Sequence, residues 1–179
     1  MNEALILIDI QNIYFTEGEY KLFEPEIAAK NAAIILDKFR EKNKPVIHVQ
    51  HKFKVENNEN GEYLIDFNEL VKPSKDEIIV CKNYPSAFLK TDLKKKLDEL
   101  QVNKLIIVGM MTHMCIDTTV RAAQDYGYEV TVVHDACTTK DLKWNEETIG
   151  ACVVHKSIMA SLQKMFAEVK SCEEFCKEL

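Results

Sequence analysis

The chain is poor in several features that would place it in a special class of protein. Among its 179 residues it has one tryptophan, four prolines and five glycines, and its six cysteines include no Cys-x-x-Cys pair. The low proline and glycine content excludes collagen-like and low-complexity chains, and a chain of this length needs no disulfide scaffold. We therefore expect free thiols and a reducing, cytoplasmic location.

The charge and hydropathy patterns exclude further classes. The formal net charge is −6, with acids and bases interspersed, so the chain has no basic stripe for nucleic acid or anionic lipid. No apolar run approaches the length of a membrane span, and no basic leader opens the sequence. We expect a full-length chain in which residues 1–179 form a single domain that binds neither nucleic acid nor membranes.

Six apolar, β-branched segments have the length of strands and alternate with segments of helical periodicity. The predicted strands are residues 4–8, 45–49, 77–80, 105–108, 129–134 and 151–154, and the main predicted helices are residues 25–44, 91–100, 115–126 and 157–169. Continuous apolarity is typical of strands that are covered on both faces. The pattern predicts a three-layer α/β/α fold around a parallel sheet, with residues 52–62 as a long polar loop beside the site.

Reactive side chains follow three of these strands. Asp9 ends the first, Lys82 follows the third, and the fourth leads through a short turn to Cys115. Because ligands bind beyond the carboxyl ends of parallel strands, we expect an acid, an amine and a thiol to converge there.

Cys115 has the sequence context of a nucleophile. It lies on a strand-to-helix turn, where the helix dipole favours the thiolate. The ordinary pKa of a free thiol is ~8.5, so the site has to lower it. The Lys82 ammonium would stabilise the thiolate, while Asp9 would accept the thiol proton and return it to a leaving amine. Backbone N–H groups of Met111 and Cys115 would hold the oxyanion.

Four motifs occur in order along nearly the whole chain: D-x-Q-N from residue 9, K-N-x-P-S-A-F from residue 82, G-x-x-T-H-x-C from residue 109 and D-A-C from residue 135. Together they resemble the isochorismatase-like cysteine hydrolases. The resemblance implies a six-stranded, mainly parallel sheet, Cys115 as nucleophile, Asp9 as general base and acid, and Lys82 as the residue that orients and charges the site. It also implies a cis peptide bond between Met110 and Met111 and assembly into a homodimer or homotetramer.

Several side chains near the strand ends are candidates for the walls of a substrate pocket. Aromatic residues in such positions are more often part of the core, so the two interpretations stay open. The candidates are Gln11, Phe15, His51, Tyr84, Phe88, His113 and Trp144.

The histidines and the remaining cysteines do not suggest a metal site. Some relatives in the family, the nicotinamidases, hold a metal with an Asp-x-His pair after the second strand, where this chain has His48-Val-Gln-His51 and no aspartate. On a strand those two histidines would face opposite sides, which is poor geometry for shared ligation. We therefore expect no metal and no cofactor, and we expect Cys81 to point into the core.

These residues favour hydrolysis of a C–N bond in a small amide or carbamoyl compound through a thioester at Cys115. Two alternatives remain. One is an isochorismatase-type vinyl-ether hydrolase, which uses the aspartate without the cysteine. The other is a non-catalytic small-molecule-binding protein or a thiol redox protein of the same fold.

Overall fold

In the computed structural model, six strands form one parallel sheet in the order β3-β2-β1-β4-β5-β8. The structure describes residues 2–17, 20–52 and 61–179. The strands of this sheet are β1 (Glu3–Ile8), β2 (Val46–His51), β3 (Ile78–Lys82), β4 (Lys104–Met110), β5 (Glu129–Thr138) and β8 (Glu168–Lys170), and a separate antiparallel hairpin is formed by β6 (Leu142–Trp144) and β7 (Glu147–Ile149).

Helices cover both faces of the sheet. They are α1 (Pro25–Glu41), α2 (Gly61–Ile65), α3 (Leu93–Glu99), α4 (Asp117–Asp125), α5 (Ala151–Leu162) and α6 (Cys172–Glu178). Alternate residues of β1 show how the layers are divided, because Leu5 and Leu7 pack with α1 and α6, whereas Ile6 and Ile8 pack with α3, α4 and α5. The predicted three-layer α/β fold is confirmed.

The sixth strand is not where the sequence predicted it. Residues 151–154 begin α5, because Gly150 is extended and the Asp141 carboxylate accepts the first helical N–H, that of Ala151, at 2.7 Å. A four-residue apolar run does not distinguish a strand from a buried helix turn. The sixth strand, β8, has only the sequence Glu-Val-Lys, so it carries almost no apolar signal.

The structure also bears on the start of the helix after Cys115 and on the predicted loop at residues 52–62. The helix predicted from residue 115 begins at Asp117, and Cys115 lies just before it in a π-helical turn, Thr112–Ile116. Most of the predicted loop at residues 52–62 lies outside the described residues, and its end forms the start of α2. Across the described ranges, none of the helices combines the length and apolarity that a membrane crossing requires.

Candidate active site

Three side chains from the ends of three strands meet in the buried centre of the carboxyl edge. Lys82 Nζ lies 2.6 Å from Asp9 Oδ2 and 3.2 Å from Cys115 Sγ. Asp9 is fully buried, Lys82 is 1% exposed and Cys115 is 4% exposed. The predicted convergence of acid, amine and thiol is therefore present in the folded chain.

A fourth side chain completes the surroundings of the ammonium. His51, the last residue of β2, places Nδ1 2.9 Å from Lys82 Nζ. Within the described residues, Asp9, His51 and Cys115 are the group whose donor atoms could hold a metal, and these atoms lie within 4.8 Å of one another. The cation that lies among them is the Lys82 ammonium.

The orientation of Cys81 is the reverse of its prediction. Cys81 is exposed and its thiol lies 3.8 Å from Gln50 Oε1, whereas Lys82 points inward. The prediction that Cys81 faces the core was wrong because it ranked the two residues by hydrophobicity. An inward lysine is stable here because its charge is paired with Asp9.

Gln11, which follows Asp9, forms hydrogen bonds that link the end of β1 to β2 and α2. Its side-chain Nε2 donates to the carbonyl oxygens of His51 at 3.0 Å and Ile65 at 2.5 Å, and its Oε1 accepts from the His51 N–H at 2.8 Å. Both amide hydrogens are thus used within the protein. Gln11 therefore holds the backbone of His51 beside the end of β1.

Gly109 allows β4, which leads to Cys115, to pass close to β1, which leads to Asp9. It pairs with Ile8, the residue before Asp9, and has φ +128°. A Cβ at this position would lie 2.0 Å from the Ile8 carbonyl oxygen, so only glycine fits. Asp9 itself has φ 52°, which turns the chain at the end of β1.

The turn that carries Cys115 is tied to two other elements. Thr112 Oγ1 lies 2.9 Å from His155 Nδ1 on α5, and His113 Nδ1 lies 2.5 Å from Thr139 Oγ1 beyond β5. The cis peptide bond implied by the resemblance is present between Met110 and Met111. His113, one of the candidates for the pocket wall, is thus bonded to the segment that follows β5.

Burial and charge keep the Cys115 thiol protonated in the resting site. Burial and the Asp9 carboxylate raise the pKa of the thiol to about 12, although Lys82 opposes the shift. Burial also raises the pKa of Asp9 against the lowering effect of Lys82. Burial and Asp9 thus both oppose the preformed thiolate that the helix dipole and Lys82 were expected to favour.

Tyr14 lies within the electrostatic reach of Asp9, and no sequence motif pointed to it. It is buried in the short helix Asn12–Tyr14, and burial together with the charge of Asp9 raises the pKa of its hydroxyl. A single tyrosine among aromatic residues carries no sequence signal of its own. Its position five residues after the acid was the only indication.

The remaining pocket candidates lie in different surroundings. Phe88 is a core residue whose ring packs against Tyr126 and Tyr128, with centroids 5.1 and 6.2 Å away. Trp144 is 70% exposed on the β6–β7 hairpin. Two further candidates, Phe15 and Tyr84, are partly exposed beyond β1 and β3, and Lys90 Nζ lies over the Tyr84 ring. Of these four, Phe88 belongs to the same hydrophobic core cluster as Cys115.

The metal pair of the nicotinamidases does not fit this chain. His48 is fully buried and its Nε2 lies 2.9 Å from Glu77 Oε2, while His51 faces Lys82. The two histidines therefore lie in separate networks and share no ligand position.

Comparison with known proteins agrees with the family that the motifs indicated. The isochorismatase domain family matches residues 3–174. The isochorismatase family protein YddQ of Bacillus subtilis is 43% identical, over 99% of this chain and all of its own length. Nicotinamidase 3 of Arabidopsis thaliana is 27% identical, over 98% of this chain and 88% of its own.

Solved structures give the same result. The crystal structure of an isochorismatase from Pseudomonas putida is similar with a TM-score of 0.91 and 36% identity, over 97% of this chain and 89% of that one. The family match and the structural similarity both extend over nearly the whole chain. The chain belongs to the isochorismatase family of hydrolases.

Proposed function

We propose that this chain is a cysteine hydrolase that cleaves the C–N bond of a small amide or carbamoyl compound. The observation that carries the proposal is the position of the Lys82 ammonium, which forms an ion pair with the Asp9 carboxylate and a hydrogen bond to the Cys115 thiol. A thiol, a base and a cation within contact distance are the parts that acyl transfer requires. Nicotinamidase 3, a relative over nearly the whole chain, is named for an amide substrate.

In the first half-reaction Sγ of Cys115 attacks the substrate carbonyl carbon while Asp9 takes the thiol proton. An S–C bond forms, and the carbonyl electron pair moves to the oxygen, which accepts hydrogen bonds from the N–H groups of Met111 and Cys115. The oxyanion then collapses, the C–N bond breaks, and Asp9 gives its proton to the leaving nitrogen. An amine or ammonia departs and a thioester remains on Cys115.

In the second half-reaction water replaces the amine. Asp9 accepts a proton from water as the water oxygen attacks the thioester carbon. The C–S bond then breaks, and Asp9 returns the proton to the sulfur. The products are a carboxylic acid, or the corresponding carbamate, and the free thiol. Asp9 therefore acts as base and acid in turn, which suits a carboxyl whose pKa is raised by burial.

The protonated resting thiol supports proton transfer during the attack. A thiol with a pKa of about 12 is a poor nucleophile at neutral pH unless a base removes its proton as the S–C bond forms. Lys82 stabilises the negative charge as it moves from Asp9 to sulfur. A buried, uncharged thiol also resists oxidation between turnovers.

The test is release of amine or ammonia from a panel of small amides, carbamoyl compounds and ureido acids. We expect turnover by the wild-type chain, loss of turnover in Cys115→Ala, and unchanged turnover in the matched control Cys152→Ser, which alters an exposed thiol. Intact mass after rapid acid quench would detect the thioester in the wild type only.

Vinyl-ether hydrolysis is the second candidate, because the Pseudomonas putida relative is named an isochorismatase and Asp9 is correctly placed for acid chemistry. It predicts turnover that survives Cys115→Ala. We also propose that the chain forms a homodimer or homotetramer, which light scattering of the purified protein would test.

A further inference from the structure

His51 lies next to the ammonium that organises the proposed reaction. Lys82 Nζ has three hydrogens and three neighbours at hydrogen-bond distance, namely Asp9 Oδ2 at 2.6 Å, His51 Nδ1 at 2.9 Å and Cys115 Sγ at 3.2 Å. An ammonium donates hydrogen bonds and accepts none. The ammonium therefore donates hydrogen bonds to His51 Nδ1 and Cys115 Sγ, and it forms an ion pair with Asp9 Oδ2.

This arrangement fixes the state of the histidine ring. Because Lys82 can only donate, Nδ1 of His51 must carry a lone pair, and the hydrogen of the neutral ring lies on Nε2. A protonated ring would set a second cation 2.9 Å from the ammonium. Burial and the Lys82 charge lower the pKa of His51 to about 4, which agrees with a neutral ring.

The backbone of His51 is held as firmly as its ring. Gln11 bonds to both the N–H and the carbonyl of His51, at 2.8 and 3.0 Å, and the pairing of β2 with β3 sets His51 opposite Lys82. Nδ1 is therefore presented to the ammonium by two strands and one buried amide. Such support is typical of groups that position a reactive residue.

We propose that His51 is a positioning residue of the active site, whose Nδ1 accepts an N–H of Lys82 and so holds the ammonium between Asp9 and Cys115. Without this acceptor a buried N–H would lack a partner, and the ammonium would move toward water or toward a new acceptor. The Asp9 charge would then oppose ionisation of the Cys115 thiol with less compensation. The inference deepens the proposed function, since it concerns the same site.

Three variants separate the role of Nδ1 from the role of ring volume. His51→Asn can place an amide oxygen near the position of Nδ1, His51→Gln places its amide near the position of Nε2, and His51→Leu removes the acceptor at similar size. The readout is the rate at which iodoacetamide alkylates Cys115, followed against pH by peptide mass. It requires no substrate, so it gives a result even if the proposed hydrolysis fails. Exposed Cys81 is the internal control.

We expect His51→Leu and His51→Gln to shift the alkylation profile of Cys115 to higher pH and to slow it about tenfold, the change for one pKa unit. His51→Asn should restore most of the wild-type rate, and Cys81 should react alike in all four proteins. Unchanged alkylation in folded His51→Leu or His51→Gln, or equal loss in His51→Asn, would overturn the proposal. Circular dichroism and Tm identify any variant that fails to fold, and His51→Gln replaces His51→Leu in that case.

Discussion

Lys82 Nζ and Asp9 Oδ2 form an ion pair at 2.6 Å in which both side chains are shielded from solvent. Burial removes the hydration of both charges, so each depends on the other. Lys82→Met should lower the free energy of unfolding by about 3–5 kcal/mol, the usual cost of leaving a buried charge unpaired. Urea denaturation would measure this loss.

The double variant Asp9→Asn with Lys82→Met is the control for that pair. Since it removes both charges, it should be more stable than Lys82→Met alone. Strict additivity of the two single changes would contradict a coupled pair.

Cys115 reactivity should respond in opposite directions to its two charged neighbours. Asp9 raises and Lys82 lowers the pKa of the thiol, so Asp9→Asn should speed alkylation of Cys115 at neutral pH and Lys82→Met should slow it. Peptide mass mapping after iodoacetamide treatment would measure both rates. The same sign in both folded variants would disprove the electrostatic account.

Gly109 and Gly127 form a matched pair for testing the close approach of β4 to β1. Both have positive φ, +128° and +83°, but an added Cβ meets the Ile8 carbonyl at Gly109 and nothing within 4 Å at Gly127. Gly127→Ala should cost about 1–2 kcal/mol from backbone conformation alone, and Gly109→Ala several times as much. Similar Tm values for the two variants would show that the strands can separate without penalty.

Glu77 should make the fold sensitive to acid. Burial raises the pKa of this carboxyl, but bonds from Arg40, the Ser74 N–H and His48 outweigh it and lower the pKa from 4.5 to about 2. A depressed pKa contributes stability that is complete above pH 4.5 and is lost as pH falls toward 2. Glu77→Gln should therefore flatten the fall in stability across this window by about 2 kcal/mol.

Chemical denaturation at neutral pH and at about pH 3 would test the Glu77 prediction. Glu69→Gln, which changes a carboxylate that is 80% exposed, is the control. Equal acid sensitivity in Glu77→Gln and the wild type would remove Glu77 as the cause.

The sequence was sufficient to predict the convergence of Asp9, Lys82 and Cys115, because strand ends in a parallel sheet share one edge. It could not predict the sixth strand, since β8 is short and lies at the edge of the sheet, where few apolar residues are required. The direction of Cys81 was predicted wrongly because hydrophobicity ranks cysteine as buried, whereas the pairing of Lys82 with Asp9 turns Lys82 inward and Cys81 outward. The contact between His51 and Lys82 depends on register, which no local pattern records.

Each of four adjacent strands supplies one side chain of the site. His51 ends β2, Lys82 ends β3, Asp9 follows β1, and the turn after β4 carries Cys115. A partly folded chain that lacks any one of these strands therefore has no complete site. Cys115 would then be an ordinary accessible thiol, open to oxidation and to alkylation. Slow, pH-dependent alkylation of Cys115 is therefore expected only after the sheet is complete. During refolding, the time at which alkylation becomes slow would show when the non-local strand pairings form.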